Sequence, residues 1–225
     1  MQNLVERGGF FVKNVIDLIE KEKIIVIVRG VESEKLIPLA EAVYRGGIRF
    51  LEITYSADGS VRDEETFENI KLLASHFKNR MHIGAGTVLN ESQVELTFQA
   101  GGEFIISPDT DEAVIRKTKE LGMVSIPGAY TPSEAKTAYR YGADFVKLFP
   151  AANLGSSYIK AIRAPLSHIK FLAVGGIDLL NIKEYLLAGV CGFGIGTNII
   201  DKTLIEKNDF ESIAELAKKY VEAVQ

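Results

Sequence analysis

The segment AYRYGADFVKLF, residues 138–149, contains the pattern that determines the fold. An amphipathic stretch ends at Gly142, and an apolar run rich in aromatic and β-branched residues begins at Phe145. Glycine just past a helix can adopt the left-handed backbone conformation that ends many helices. A short apolar run between such signals predicts a strand that is buried on both faces. The segment is therefore typical of a helix that returns directly into a parallel sheet.

The same transition recurs at residues 42–50, 97–104 and 186–193. Eight apolar runs alternate with helix-like segments, and this alternation predicts a parallel barrel. The runs are IIVIV (24–28), FLEITY (50–55), HIGAG (82–86), FIISP (104–108), VSIPG (124–128), FVKLF (145–149), FLAVGG (171–176) and GFGIG (192–196). The helix-like segments cover residues 33–45, 62–78, 90–100, 110–121, 131–141, 156–163, 181–188 and 209–223.

We therefore predict an α/β protein, a single (β/α)₈ TIM barrel with an extra N-terminal helix. This helix, at residues 10–22, is expected to close the bottom of the barrel. Because no linker interrupts the pattern, residues 1–225 are expected to form one domain. An open doubly wound sheet is the alternative, but no G-x-G-x-x-G motif follows the first apolar run.

The composition narrows the possible partners. The net charge of −4 argues against a nucleic-acid binder, because affinity for nucleic acid comes largely from Lys and Arg on phosphates. An anionic small substrate would need locally placed donors instead. Cys191 is the only cysteine, so no intrachain disulfide can form, and no zinc-type cluster is apparent. No signal-peptide core or membrane-length apolar run is present, so we expect a cytoplasmic protein that binds no membrane.

Active sites of such barrels lie at the carboxyl ends of the strands, and Lys147 is the first candidate there. Strand alternation places Phe145, Lys147 and Phe149 on one face, and both faces of a barrel strand are covered. Burial lowers the pKa of a lysine, and a neutral amine can attack a ketone to form an imine. The alternative is a structural lysine paired with a carboxylate inside the barrel.

Glu52 lies in the second apolar run, FLEITY, and is the second candidate. A carboxyl group facing into a barrel is either a structural partner of Lys147 or a general acid/base with a raised pKa. Imine–enamine chemistry requires a neutral amine and a proton-shuttling group side by side. The pair is therefore more informative than either residue alone.

Other candidates are suited to binding anions. Gly175 and Gly176 follow the seventh run, and Gly196 and Thr197 follow the eighth, where this fold often binds phosphate through backbone N–H groups. The alternative is that these residues only form tight turns. Arg29, at the end of the first run, is suited to a carboxylate, and Thr87 could hydrogen-bond the same group. For Arg29 the alternative is an exposed loop arginine, and for Thr87 a simple turn.

Eight short motifs occur in this order along the chain: LEIT (51–54), GAGTVL (84–89), ISP (106–108), IPG (126–128), KLFPA (147–151), YIKAI (158–162), AVGGI (173–177) and GIGT (194–197). The pair GAGTVL and KLFPA at this distance is the specific element. Together the motifs resemble the 2-keto-3-deoxy-6-phosphogluconate (KDPG) aldolase family, which includes phosphogalactonate and 4-hydroxy-2-oxoglutarate aldolases.

The resemblance implies a class I lyase that needs no metal or cofactor and reversibly cleaves a phosphorylated keto acid to pyruvate and glyceraldehyde 3-phosphate. It also implies a homotrimer and a place in Entner–Doudoroff carbohydrate metabolism. By position, the family's Schiff-base lysine, acid/base glutamate, carboxylate threonine, phosphate turns and pocket-lining residues match Lys147, Glu52, Thr87, Gly175, Gly176, Gly196, Thr197, Phe149 and Pro108.

The chain departs from the family pattern at Ser56, where many members carry an arginine that binds carboxylate. Other members have an arginine at the end of the first strand instead, and Arg29 fits that form. The loop at residues 55–65 is longer and more acidic than usual. Gluconate or galactonate stereochemistry and the use of hydroxy-oxoglutarate stay open.

Two other classes of function remain as alternatives. One is a different phosphate-binding barrel enzyme, an epimerase or a transferase like thiamin-phosphate synthase. The other is a barrel that binds a sugar phosphate without catalysis. The rival enzymes would not require a lysine inside the sixth strand, and the transferase would need carboxylates for Mg²⁺.

Overall fold

The computed structural model describes the backbone of residues 2–225 and the side chains from Val12 onward. The strands are β1 (Ile24–Val28), β2 (Phe50–Thr54), β3 (His82–Gly86), β4 (Phe104–Ile106), β5 (Val124–Ile126), β6 (Gly128–Ala129), β7 (Val146–Leu148), β8 (Phe171–Val174) and β9 (Gly192–Ile195). The helices are α1 (Gln2–Glu22), α2 (Ser33–Arg45), α3 (Asp63–His76), α4 (Glu91–Gln99), α5 (Glu112–Glu120), α6 (Pro132–Tyr141), α7 (Ala151–Arg163), α8 (Ile182–Leu187), α9 (Lys202–Glu206) and α10 (Phe210–Val224).

The strands form a parallel barrel, as predicted, with the order β5-β4-β3-β2-β1-β9-β8-β7-β6. The fifth predicted strand is present in two pieces, since Pro127 separates β5 from β6. The β5 piece pairs with β4 and the β6 piece pairs with β7. The Lys147 N–H donates to the Pro127 carbonyl at 2.8 Å, so the hydrogen bonding continues across the break. Residues 124–129 therefore close the barrel as one interrupted strand.

Side chains alternate between two separate clusters, which defines the inside of the barrel. Val146 and Leu148 are buried in the outer cluster between the strands and the surrounding helices. Phe145 belongs to the inner cluster, together with Val15 and Ile19 of α1. The prediction that Phe145 and Lys147 share the inward face is therefore confirmed by the packing of this strand.

The extra N-terminal helix is present and its apolar side chains close the bottom of the barrel. Val15 and Ile19 are buried against inward residues of the strands. The helix α1 begins at Gln2, earlier than the predicted start at residue 10. Gly8 and Gly9 are poor helix formers, so the sequence pattern indicated helix only beyond them.

Two helical segments differ from the prediction. The α7 segment begins at Ala151 rather than at residue 156, and Gly155, with φ of 76° and ψ of 160°, interrupts it. The short helix α9 was not predicted, because its five residues are too few to show a periodic pattern. No helix in the part of the chain that the structure describes is long and apolar enough to cross a membrane.

Candidate active site

Lys147 lies on β7 inside the barrel and is 7% exposed. Its ammonium lies 4.7 Å from the centre of the Phe149 ring. Burial lowers the pKa of Lys147, the negative charge of Glu52 opposes that shift, and the positive charge of Arg29 adds to it. No ion pair in the described part of the chain involves Lys147, so the structure does not support the alternative of a paired structural lysine. The environment therefore favours the neutral, nucleophilic amine.

Glu52 lies on β2 and is 2% exposed. Burial raises its pKa to about 7, against the opposing positive charges of Lys147 and Arg29. The buried atom Oε2 has no hydrogen-bond partner among the described residues. A buried carboxyl group with a free oxygen and a pKa near neutrality can both accept and release a proton. These properties fit the acid/base hypothesis better than a structural pairing.

The strands that carry these two residues lie on opposite sides of the barrel. With β5 and β6 counted as one strand, three strands separate β2 from β7 in either direction. Phe50 and Phe145, two residues earlier on the same strands, are buried in the inner cluster. The amine and the carboxyl group therefore project inward above an apolar layer that excludes water from below.

Gly86 makes the space that the Glu52 carboxyl group occupies. A Cβ atom on Gly86 would lie 1.5 Å from Glu52 Oε1 and 2.2 Å from its Cδ. These atoms cannot overlap, so any side chain at residue 86 must push the carboxyl group away. The second glycine of the GAGT motif thus has a steric role directly beside the candidate acid/base.

We expect Gly86→Ala to displace Glu52 and slow proton transfer by roughly 10²–10⁴-fold, the usual contribution of a general acid/base. The added methyl group should also cost about 1–3 kcal/mol of unfolding free energy through overpacking. Exchange of pyruvate methyl protons with deuterated water, followed by NMR, measures the first effect. Gly84→Ala is the matched control, because its Cβ would meet the Phe104 ring at 2.4 Å instead of Glu52. Equal exchange rates in the two variants would contradict this role of Gly86.

Arg29 and Thr87 are brought together at the open end of the barrel. The Arg29 guanidinium donates to Thr87 Oγ1 at 3.0 Å. Thr87 adopts a φ of 55°, a left-handed conformation that is rare for β-branched residues and costs of order 1–3 kcal/mol. This unusual backbone presents the hydroxyl to the guanidinium. Together the two groups can hold a carboxylate by charge and hydrogen bonds.

A pocket of about 280 Å³ opens beside Arg29. Its lining includes two cationic side chains and no carboxylate, although the chain as a whole carries a net charge of −4. The lining residues are Ile27, Arg29, Phe149, Val174, Gly175, Gly176, Ile177, Gly194, Gly196, Thr197, Asn198, Ile200 and Lys202. This is the local arrangement of donors that an anionic substrate requires.

The two glycines after β8 have neighbours so close that a side chain at either position would crowd them. Gly175 and Gly176 have φ values of 91° and 74°. A Cβ on Gly175 would lie 3.2 Å from the Phe149 ring, and one on Gly176 would lie 2.4 Å from Ala152 Cβ. The turn therefore packs closely against the end of β7 and the start of α7. Exposed N–H groups in such a turn are suited to a phosphate.

The structure does not bring every predicted residue into this pocket. Thr87 lines a second pocket of about 330 Å³, which also contains Arg29 and Ser56, so Arg29 lies between the two pockets. Pro108, Lys147 and Glu52 lie outside the lining of both pockets. The carbonyl of Pro108 packs against Gly128, and Lys147 and Glu52 are buried inside the barrel. Ser56 hydrogen-bonds Asp58 and Ser60 within its own loop.

Two polar residues of the first pocket were missed by the sequence reasoning. Asn198 donates to the carbonyl of Ile177 at 2.8 Å and so joins the turns after β8 and β9. Lys202 begins α9. Both residues lie beyond the end of β9, so a search limited to strand ends did not identify them. The cap residue Asp201 followed by KTLIE could have indicated a short helix that returns to the site.

The chain is similar to known proteins in both sequence and fold. The model of the family described as KDPG and KHG aldolase matches residues 15–216. A Rhizobium meliloti protein named probable 2-dehydro-3-deoxy-6-phosphogalactonate aldolase is 37% identical over 78% of this chain and 81% of its own length.

Two solved structures are also similar. KDPG aldolase from Legionella pneumophila, with pyruvate captured as a covalent carbinolamine intermediate, has a TM-score of 0.79 and 31% identity, covering 94% of this chain and 96% of its own. A chain of a porous cage designed by fusing symmetric oligomeric domains has a TM-score of 0.80 and 32% identity, covering 90% of this chain and 72% of its own.

Proposed function

The chain belongs to the family of KDPG and KHG aldolases, and from this premise we propose that Lys147 is its Schiff-base residue and Glu52 its acid/base. The protein is a class I aldolase, a carbon–carbon lyase. The residue assignment rests on two buried groups inside the barrel. Lys147 has a lowered pKa and no ion-pair partner among the described residues, and the carboxyl group of Glu52 has a pKa of about 7.

In the proposed reaction the Lys147 amine attacks the C2 ketone of the substrate and forms a carbinolamine. Loss of water, with protons shuttled by Glu52, gives a protonated imine. Glu52 then takes the proton of the C4 hydroxyl, the C3–C4 bond breaks, and its electron pair moves into the imine to form an enamine. The aldehyde product leaves at this point. Protonation at C3 and hydrolysis then release pyruvate and regenerate the amine.

The two ends of the substrate are both anionic, and each is matched by a group of residues. Arg29 and Thr87 are suited to the carboxylate next to the reacting ketone. Gly175, Gly176, Gly196 and Thr197 are suited to the terminal phosphate through the turns after β8 and β9, and Phe149 would form a wall between them. Pro108 stays a prediction as a pocket residue, since it lies outside the lining.

We propose a 2-keto-3-deoxy-6-phospho sugar acid as the substrate, cleaved to pyruvate and glyceraldehyde 3-phosphate. The relatives include both a probable phosphogalactonate aldolase and a phosphogluconate aldolase, so both epimers at C4 are candidates. The family match argues against the epimerase, the transferase and the non-catalytic barrel. A cytoplasmic location and a step of Entner–Doudoroff metabolism belong to the same proposal.

Borohydride trapping tests this function directly. Incubation with pyruvate and sodium borohydride should inactivate the enzyme irreversibly and add one reduced pyruvyl group, located on Lys147 by peptide mass spectrometry. Omission of pyruvate is the control, since borohydride alone has no imine to reduce. Inactivation without an adduct on Lys147, or no inactivation, would overturn the assignment.

We also propose a homotrimer. Leu180 lies two residues before α8 and is 95% exposed, and Leu187, the last residue of α8, is 82% exposed. Such exposure is unusual for large apolar side chains that lie near each other in sequence. The likeness to a chain from a cage built of symmetric oligomeric domains supports an oligomer. Sedimentation equilibrium should give three times the mass of the chain, and the mass of a monomer would refute the proposed homotrimer.

A further inference from the structure

The first pocket contains a positively charged side chain, Lys202, that has no role in the proposed binding of the substrate by Arg29 and the glycine turns. Lys202 lines this pocket together with Gly176, Gly196 and Thr197. Its side chain is exposed, and within the described residues it takes part in no ion pair. An ammonium group that forms no ion pair with the described side chains, and that lies beside turns suited to an anion, can contact a bound ligand.

The backbone at Lys202 is held in place from both sides. Asp201 caps α9 by accepting from the Leu204 N–H at 3.0 Å, and Ile205 on the same helix is buried in the outer cluster. Because the carboxylate of Asp201 is turned to the helix N–H, it is occupied within α9. The lysine stem thus starts from a fixed point at the edge of the pocket, while its head can move to meet a ligand.

We propose that Lys202 determines specificity for the phosphorylated half of the substrate by contacting its terminal phosphate. The inference rests on the proposed function, which supplies a substrate with an anion at that end. Backbone N–H groups donate to any oxygen acceptor, whereas an ammonium group adds a full positive charge that favours a phosphate dianion over a neutral hydroxyl. Lys202 would then lower the KM for phosphorylated aldehydes selectively, without taking part in bond cleavage.

The test measures the reaction in the synthetic direction, from pyruvate with either D-glyceraldehyde 3-phosphate or D-glyceraldehyde. We expect Lys202→Ala to raise the KM for the phosphorylated aldehyde by roughly 5–30-fold, as for a charge-assisted contact, and to leave kcat nearly unchanged. The KM for the unphosphorylated aldehyde should not change. Lys202→Arg should restore most of the affinity, because it restores the charge.

Lys207→Ala is the matched control. Lys207 follows the same helix, α9, and its loss changes the net charge equally, but it does not line the pocket. We expect no change in either KM for this variant. Equal effects of Lys202→Ala on both aldehydes, equal effects of the two alanine variants, or no effect would each overturn the role of Lys202.

Pyruvate trapping distinguishes this inference from the proposed function. If the wild-type enzyme forms no borohydride-reducible adduct, the proposed function itself fails. If the adduct forms on Lys147 but Lys202→Ala does not selectively raise the KM for the phosphorylated aldehyde, only the assignment of Lys202 fails.

Discussion

Replacement of Lys147 with methionine should abolish aldol cleavage, lowering kcat/KM on the order of 10⁴-fold or more, while the barrel stays folded. The variant keeps an unbranched side chain of similar length but has no nitrogen, so neither carbinolamine nor imine can form. The remaining groups can bind the substrate but cannot withdraw electrons from C3. Coupled detection of pyruvate release measures this loss.

The stability of the methionine variant serves as its internal control. Lys147 is buried and has no ion-pair partner in the described part of the chain, so its charge is costly to the fold. The variant should therefore unfold at the same or higher denaturant concentration than the wild type. Lys147→Arg keeps a cation but cannot form an imine at neutral pH, and it should be inactive as well. Cleavage by either variant at more than a hundredth of the wild-type rate would remove Lys147 from the covalent step.

Replacement of Glu52 with glutamine should slow cleavage and pyruvate proton exchange by roughly 10²–10⁴-fold, because the amide fills the same space but cannot accept a proton. The wild-type exchange rate should fall as pH decreases below about 7, since the carboxylate form is the base and burial raises its pKa to that value. This acidic limb should be absent in the variant. Because exchange and cleavage both pass through the Lys147 imine, exchange is measured at saturating pyruvate, where the imine is already formed and the proton transfer by Glu52 is followed.

The glutamine variant should also differ from the wild type in the pH dependence of its stability. The pKa of Glu52 is raised from 4.5 to about 7 in the folded protein, so folding favours the protonated form. The stabilisation is therefore complete below pH 4.5 and is lost as pH rises through about 7, a difference of roughly 3 kcal/mol.

Denaturant unfolding at pH 5 and pH 8 checks this difference, with the variant gaining stability relative to wild type at the higher pH. A variant that exchanges pyruvate protons at the full rate would exclude Glu52 as the acid/base. A variant that is destabilised equally at both pH values would indicate a structural role instead.

The sequence predicted the fold and the central pair for a simple physical reason. Strand side chains alternate with a period of two, so an apolar strand with a single charged residue must bury that residue on one of two covered faces. For Lys147 the inward face follows from its alternation with Val146 and Leu148, which pack outward. The glycine that recurs after several of the helices indicated the barrel in the same local way.

Features that depend on contacts between distant segments were not predictable in this way. The left-handed backbone of Thr87, the contact of Gly86 with Glu52 and the return of Lys202 to the turns after β8 and β9 depend on the assembled barrel. The division of the mouth into two pockets at Arg29 is of the same kind. A periodic pattern describes an element, but it does not give the distance from that element to another segment that the fold brings beside it.

The position of Glu52 and Lys147 on opposite strands has a consequence for how the family could diversify. The strands that carry them face each other across the barrel, so the distance between the two backbone positions depends on the hydrogen bonding of every strand and on the interrupted strand at residues 124–129 that completes the ring. The loops at the mouth contribute nothing to that distance. Changes in the length or charge of these loops, such as the one at residues 55–65, can therefore leave the distance between the two residues unchanged.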